Sequence, residues 1–323
     1  MSDFIDEKIS KYFTSDLYEQ KTGIIKLCFV REVINPMVDR SDDSEDVISF
    51  RNSLDREVVT INSRKIKSKD KLFGLQLARN NEGTEKDSKY NEMPLVTNLA
   101  NINSILYGDT AVGDGAAGLK ARCYYDWAYS IRDISDITEV FQHNSITESG
   151  GIMATQDVGS QKKGQLRSNA LFTTKYVLPN TYFPHFITMT DVTKDMFLHG
   201  LFSMLQSKAY GGQTTVQGSV TMQNHLVAIV VAKYEQPINS LKISQTYETI
   251  PENLSFENIK EKTIQELQKY YVGDSKILMG DDLNKLVNST IEFFSTDLKE
   301  FYKKTKVDSE EYLKQVGYAT KKK

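Results

Sequence analysis

The 323-residue sequence has only two cysteines, Cys28 and Cys123, and four histidines. Two thiols build neither a disulfide framework nor a four-cysteine zinc site. His143, His185, His199 and His225 show no HExxH or HxxxH spacing, so helical zinc motifs are absent. The longest strictly apolar run, Leu226–Ala232, is seven residues, against about 20 for a membrane-crossing helix. There is no GxSxG elbow and no Walker loop. The glycines of 113–118 lack the strand–GxGxxG–helix frame of a dinucleotide site. The opening MSDFIDEKIS has no apolar core, so no secretory signal is expected and the reducing cytoplasm is the expected compartment.

Charge narrows the field further. The sequence has 40 Lys and Arg against 43 Asp and Glu, net −3, whereas nucleic-acid-binding domains are commonly basic as a whole. Any nucleic-acid surface must therefore be local. The charges are segregated: Asp39 to Asp46 is an acidic run. Beyond it Arg51, Arg56, Arg64, Lys65, Lys67, Lys69 and Lys71 outnumber Asp55, Glu57 and Asp70. That basic stretch reads equally as a phosphate-binding face or as a solvated surface.

The composition that is present, 39% hydrophobic and 26% charged, is that of a globular domain. Thr22–Val33 reads as a buried strand. From Ile34 to about Met93 the chain is polar, with one strand-like patch at Glu57–Ile61, and is too long for a passive connection. Leu95, Leu99, Ile102 and Leu106 recur at helical spacing. Arg122–Arg132 is aromatic and strand-prone. Ser149–Gly164 is glycine-rich and polar, the mark of a long exposed loop. Phe183–Thr190 is a strand, Thr193 caps a helix carrying Met196, Phe197, Leu201, Met204 and Leu205, and Gly211-Gly212 stops it. A strand over 218–233 follows. The order strand, helix, strand, strand, helix, strand predicts an α+β fold with a ferredoxin-like βαββαβ core. Phe256–Tyr271 and Asp282–Lys304 predict helices that pack onto it.

Few residues suggest catalysis. Asp39, Asp42 and Asp43, with Glu45 and Asp46, could hold a divalent ion near a phosphodiester or form a solvated loop, and they lack the sixth-position glycine of an EF-hand. His199 on an apolar helix face reads as structural, and Cys28 inside an apolar strand as inert. Binding features are stronger. Tyr210-Gly-Gly-Gln-Thr-Thr215 joins a helix end to a strand, its glycines admitting a ligand backbone and Gln213, Thr214 and Thr215 supplying neutral donors. A cap and turn explain the same residues. Arg31 and Arg122 sit at ends of core strands, and sheets of this fold recur as nucleic-acid platforms.

The order Lys120-Ala-Arg122-Cys-Tyr-Tyr-Asp126 with Tyr129-Ser-Ile131, then Phe183-Pro-His-Phe-Ile-Thr-Met-Thr-Asp191, then Tyr210–Thr215, Gly218 and Asn224-His225 resembles one family. It is the backbone subunit of type I-D CRISPR interference (Cascade) complexes, in the RAMP superfamily, Cas family number seven. The resemblance spans roughly Gly23 to Gln245. Two departures are Val216, where a basic residue commonly follows the Thr-Thr pair, and Tyr107–Thr110, where some relatives carry a CxxC pair.

The resemblance implies an RRM-like palm with finger and thumb insertions, several copies stacking along a CRISPR RNA that pairs with target DNA, and other effector subunits as partners. It divides the chain into an N-terminal segment with the first core strand (1–33), a finger lobe (34–93), core (94–143), a thumb loop (144–168), core (169–248) and C-terminal helices (249–323). Expected RNA contacts are Arg31, Arg51, Arg56, Arg64, Lys65, Lys67, Lys120, Arg122, Tyr210, Gly211, Gly212, Gln213, Thr214 and Thr215, with Met153 as a thumb wedge between bases. No cofactor, metal site or membrane is expected. Two alternatives stand beside this reading. One is cleavage of single-stranded target by a loop aspartate with Mg2+, as in related type III subunits, with Asp39, Asp42 and Asp43 as candidates. The other is an RNA-free protein-interaction scaffold.

Overall fold

The computed structural model describes residues 7–39, 46–89, 95–111, 117–143 and 172–318. After α1 (Glu7–Ser10), β1 (Ile24–Val33) runs buried along nearly its whole length, as its apolar sequence dictates. The short β2 (Ser49–Arg51) and β3 (Glu57–Ile61) pair as a hairpin, and α2 (Ser63–Asn80) follows, capped where Asn62 accepts from the Arg64 N–H. A 3-10 turn (Val96–Leu99) precedes α3 (Ile102–Tyr107), capped in the same manner by Asn101. Next come a small ribbon of β4 (Asp109–Ala111) and β5 (Ala117–Leu119), then β6 (Cys123–Tyr125), β7 (Ala128–Asp133) and the single turn α4 (Ile134–Ile137). A two-stranded ribbon joins β8 (Thr138–His143) to β9 (Phe172–Val177). Then come β10 (Thr181–Met189), α5 (Lys194–Gln206), α6 (Thr214–Gln217) and β11 (Met222–Ala232). The C-terminal part holds α7 (Ser240–Ser244), α8 (Phe256–Tyr270), β12 (Lys276–Leu278), α9 (Gly280–Phe294) and α10 (Lys299–Gln315).

The main sheet runs β12-β11-β1-β10-β6 and is antiparallel throughout. Its four palm strands stand in the order fourth, first, third, second, which is the ferredoxin-like βαββαβ arrangement. Side chains alternate across β1: Ile25, Leu27 and Phe29 join one core with α3, α5, α9 and α10. Ile24, Cys28 and Val30 join another with Ile243 of α7 and Ile259 and Leu267 of α8. Both faces of the palm are therefore covered, so the open stacking platform expected of such a sheet is not present. No helix among the described residues is long and apolar enough to cross a membrane.

Several elements differ from expectation for identifiable reasons. The 34–93 stretch contributes the 18-residue α2, which packs on α3 and α5. Its inward stripe is Ile66, Asp70, Lys71, Gly74, Leu75 and Ala78, interrupted by two charged residues and a glycine and so invisible to an apolar periodicity. The 122–132 segment makes two strands in different sheets: β6 edges the palm and β7 joins β2 and β3. The long C-terminal helix is broken at 295–298 into α9 and α10, which lets Phe293, Phe294 and Phe301 pack edge to face.

Candidate nucleic-acid interface

Three excursions from the palm meet where β1 ends. Past Val33 the chain leaves the sheet, and Met37 bridges to Val177 at the foot of the β8–β9 ribbon. Val38 bridges to Gly212, whose N–H donates to the Val38 carbonyl at 2.8 Å. Asp39 Oδ1 accepts from Lys65 Nζ, in the first turn of α2, at 2.6 Å. Beneath the corner, Val33, Met37, Ile61, Ile66, Tyr210 and Met222 form one apolar cluster that fixes the three excursions together.

The loop between α5 and β11 is shaped by its glycines. Gly211 has φ +78°, and a Cβ there would lie 2.6 Å from the Val38 carbonyl oxygen, so only glycine permits this approach. Gln213 adopts the left-handed conformation at φ +52° without being glycine. Gly212, Gln213 and Thr215 are exposed, and Gly211 and Thr214 half-buried. The loop thus presents neutral donors to solvent beside the first turn of α2, where Arg64 is exposed and has no side-chain partner among the described residues. Lys65 is one-third exposed despite its bond to Asp39.

Below lies a fully buried polar network. Arg31, 0% exposed, donates from Nε to His185 Nδ1 at 3.0 Å and from Nη1 to Tyr210 Oη and Asn224 Oδ1, both at 2.8 Å. Its Nη2 lies 3.5 Å from Asp70 Oδ2, and Asp70 also accepts from the hydroxyls of Tyr125 and Tyr210. Burial raises the Asp70 pKa, partly opposed by Arg31. Burial would lower Arg31, but Tyr210 and Asp70 hold it above its ordinary value. Burial, then the Arg31 charge, drives His185 well below the ordinary range. A neutral ring accepting at Nδ1 carries its proton on Nε2, which donates to the Asp126 carbonyl at 3.0 Å.

These positions correct several expected contacts. Arg31 and Tyr210 are sealed inside and support the loop from below; a guanidinium with no exposed surface cannot meet a phosphate. Arg122 donates to the Asp191 and Leu17 carbonyls, each at 2.6 Å. It precedes β6, whose Cys123 pairs with Met189 opposite Ile25. Arg122 and the exposed Lys120 therefore lie at the other end of the sheet, about 26 Å along β1 from the corner. Arg56 ties β3 to the carbonyls of Ile131, Tyr247 and Glu248. Arg51 is exposed but paired with Asp55 at 2.7 Å. Lys67 donates to the Cys123 carbonyl at 3.3 Å over the Tyr125 ring, and burial lowers its pKa. Arg64, Lys65 and the 211–215 loop are what the fold brings together. Met153, Asp42 and Asp43 lie outside the described residues.

Asp39 is 2% exposed, and burial raises its pKa against the opposing Lys65 charge. Among the described residues no group of three or more His, Cys, Asp or Glu is placed to hold a metal ion. Asp70 and His185 are not identifiable from sequence as supports of the corner, because single polar residues inside strands and helices carry no local signal of their partners.

The family model described as Csc2 Crispr matches residues 46–306. Among solved structures, that of Thermofilum pendens Csc2 is similar with a TM-score of 0.60 at 14% identity, covering 97% of each chain. A chain of a CRISPR RNA-guided surveillance complex in a pre-nicking state is similar with a TM-score of 0.50 at 10% identity, over 78% of this chain and 89% of that one. A chain of another CRISPR RNA-guided surveillance complex gives a TM-score of 0.50 at 9% identity, over 84% and 98%. No curated protein sequence matches.

Proposed function

Because the chain belongs to the Csc2 CRISPR family, we propose that it is a non-catalytic CRISPR RNA-binding backbone subunit of a type I-D interference complex. Copies of it stack along the guide, beside other effector subunits in the cytoplasm, and present the guide for pairing with target DNA. The observation that carries this reading is the corner at the end of β1. There an exposed glycine-shaped loop of neutral donors abuts the Arg64–Lys65 turn of α2. Such a corner suits a phosphodiester backbone: the glycines admit close approach, amide and hydroxyl donors meet phosphate oxygens, and two cations add an electrostatic term. None of these groups reads a base edge, so sequence recognition falls to base pairing between guide and target. The net charge of −3 is compatible with this because the contact asks only for a local cation beside neutral donors.

Filter binding of single-stranded RNA across a salt series tests the reading. A log–log slope steeper than about −1 is expected, since each neutralised phosphate on a single strand contributes about −0.7. A flat dependence, or no binding, overturns it. Cleavage by a loop aspartate finds less support, because Asp39 is buried against Lys65. Evenly stepped products from assembled complex with Mg2+ that vanish in Asp39→Ala would favour cleavage instead. Purified protein free of absorbance near 260 nm, with no RNA affinity, would favour the RNA-free scaffold.

A further inference from the structure

Tyr210 opens the exposed loop, and both its backbone and its side chain are held by buried groups. Its N–H donates to Thr221 Oγ1 at 2.8 Å. The Thr221 hydroxyl proton faces the carbonyls of Tyr210 at 2.8 Å and Lys208 at 3.1 Å. One threonine thus pins the two ends of the 211–220 excursion to each other. On the side-chain end, the Tyr210 hydroxyl donates to Asp70 Oδ1 and accepts from Arg31 Nη1 at 2.8 Å and Asn224 Nδ2 at 2.9 Å. Asp70 belongs to α2, fewer than two turns after Arg64. The same hydroxyl therefore fastens the neutral-donor loop to the helix that carries the exposed cation.

We infer that Tyr210 is a positioning residue for RNA binding: it touches no RNA, and its buried hydroxyl sets the spacing between the 212–215 loop and the Arg64–Lys65 turn. A phosphodiester chain has a fixed phosphate repeat, so two half-sites on separate elements bind together only when their spacing is held. Gln213 shows that the loop is held against its own preference, since a left-handed non-glycine residue persists only where surrounding contacts impose it. The network holds the loop at Tyr210, three residues before Gln213. It is fully buried and shared by β1, α2, β6, β10, β11 and the loop, so a shift of one member disturbs the rest. This inference rests on the RNA-binding reading and adds to it the device that keeps the corner assembled.

The test compares two buried tyrosines in the full chain. Tyr302 is as buried as Tyr210 and its hydroxyl also bonds inside the protein, to His199 Nδ1 at 2.8 Å, but it lies in the helical layer away from the loop. Tyr210→Phe and Tyr302→Phe are measured by urea unfolding and by fluorescence anisotropy with a labelled mixed-sequence single-stranded RNA at several salt concentrations. Both variants should lose stability, Tyr210→Phe the more because its hydroxyl serves the charged Asp70 and Arg31. Tyr210→Phe alone should bind RNA about tenfold more weakly, the effect expected when one anchoring hydrogen bond is lost. Its salt slope should match wild type, because no phosphate contact has gone. Tyr302→Phe should bind as wild type does. Equal weakening in both variants, unchanged affinity in Tyr210→Phe, or a shallower slope overturns the inference. Should Tyr210→Phe fail to fold, Thr221→Val removes the backbone pin instead and should show the same loss at constant slope; wild-type affinity there overturns it. Wild-type protein that binds no RNA defeats the functional reading and this inference together, whereas wild-type binding with an unaffected Tyr210→Phe defeats the inference alone.

Discussion

Arg31 meets Asn224 at 2.8 Å because β11 carries a bulge between Ala228 and Leu226, opposite Cys28 and Phe29 of β1. Along β1 the odd residues face the helical layer of α5. Along β11, Ile229 and Val231 do so too, but past the bulge the even residues Leu226 and Asn224 take that face. One extra residue thus carries Asn224 to Arg31 and turns His225 to the opposite face, where it pairs with Glu32 at 2.8 Å. The adjacent Asn-His pair serves two sides of the sheet.

Removing Arg31 should be among the most damaging single changes. Arg31→Met leaves Asp70 buried without its cation, a loss of about 3–5 kcal/mol by analogy with other broken buried pairs. Urea unfolding checks this, and the double variant Arg31→Met/Asp70→Leu should recover part of the loss. A single variant as stable as wild type would show that the pair does not hold the core.

Gly211 and Gly212 should behave differently although adjacent. Gly211→Ala forces a Cβ to 2.6 Å from the Val38 carbonyl at φ +78° and should lower stability by about 1–3 kcal/mol. At Gly212 a Cβ would meet Val38 at an ordinary 3.7 Å, so Gly212→Ala should leave stability within about 0.5 kcal/mol. Thermal melts separate the two. Weaker RNA binding by a stable Gly212→Ala would mark that backbone as a direct contact.

Arg64→Ala should leave the fold intact, again within about 0.5 kcal/mol, while reducing the magnitude of the RNA salt slope by roughly 0.7. Arg122→Ala should do the reverse: it loses two carbonyl bonds and stability, with no change of slope. Anisotropy titrations at four salt concentrations distinguish these outcomes.

The buried histidines make stability fall with acid. Burial lowers the His199 pKa to about 3, against about 6.5 for an unfolded histidine. Between those values the unfolded chain binds the proton and the folded chain does not, so stability rises with pH. It is fully present above about 6.5 and declines toward about 3, by about 1.4 kcal/mol per pH unit for each such group. His185, also shifted down by burial, adds to the slope. Burial raises the Asp39 and Asp70 pKa values, which acts in the opposite direction. Urea midpoints at pH 7, 6, 5 and 4 should therefore fall more in wild type than in His199→Gln, and parallel profiles would mean that the His199 ring is protonated in the fold.

The palm was legible in the sequence because its strands and α5 are mainly apolar: Ile24 to Val33, Phe183 to Met189, Met196 to Leu205 and Leu226 to Ala232. Where the buried stripe includes Asp70 and Lys71 the apolar pattern fails, so α2 does not show as a helix in the sequence. The loop at 210–215 was legible from its glycines, which only a close approach or a left-handed turn requires. Its supports were not, since Arg31, Asp70, His185 and Asn224 come from four separate elements and only the fold pairs them. A basic residue in sequence is likewise silent about whether it faces solvent like Arg64 or anchors carbonyls like Arg56 and Arg122.

The most direct test of the account is ultraviolet crosslinking of guide RNA to the full chain, with identification of the crosslinked peptides. Crosslinks are predicted within 62–66 and 211–217, the two sides of the corner at the end of β1. Crosslinks confined to the α8–α10 region or to the Lys120–Arg122 end of the sheet, with none at the corner, would contradict it.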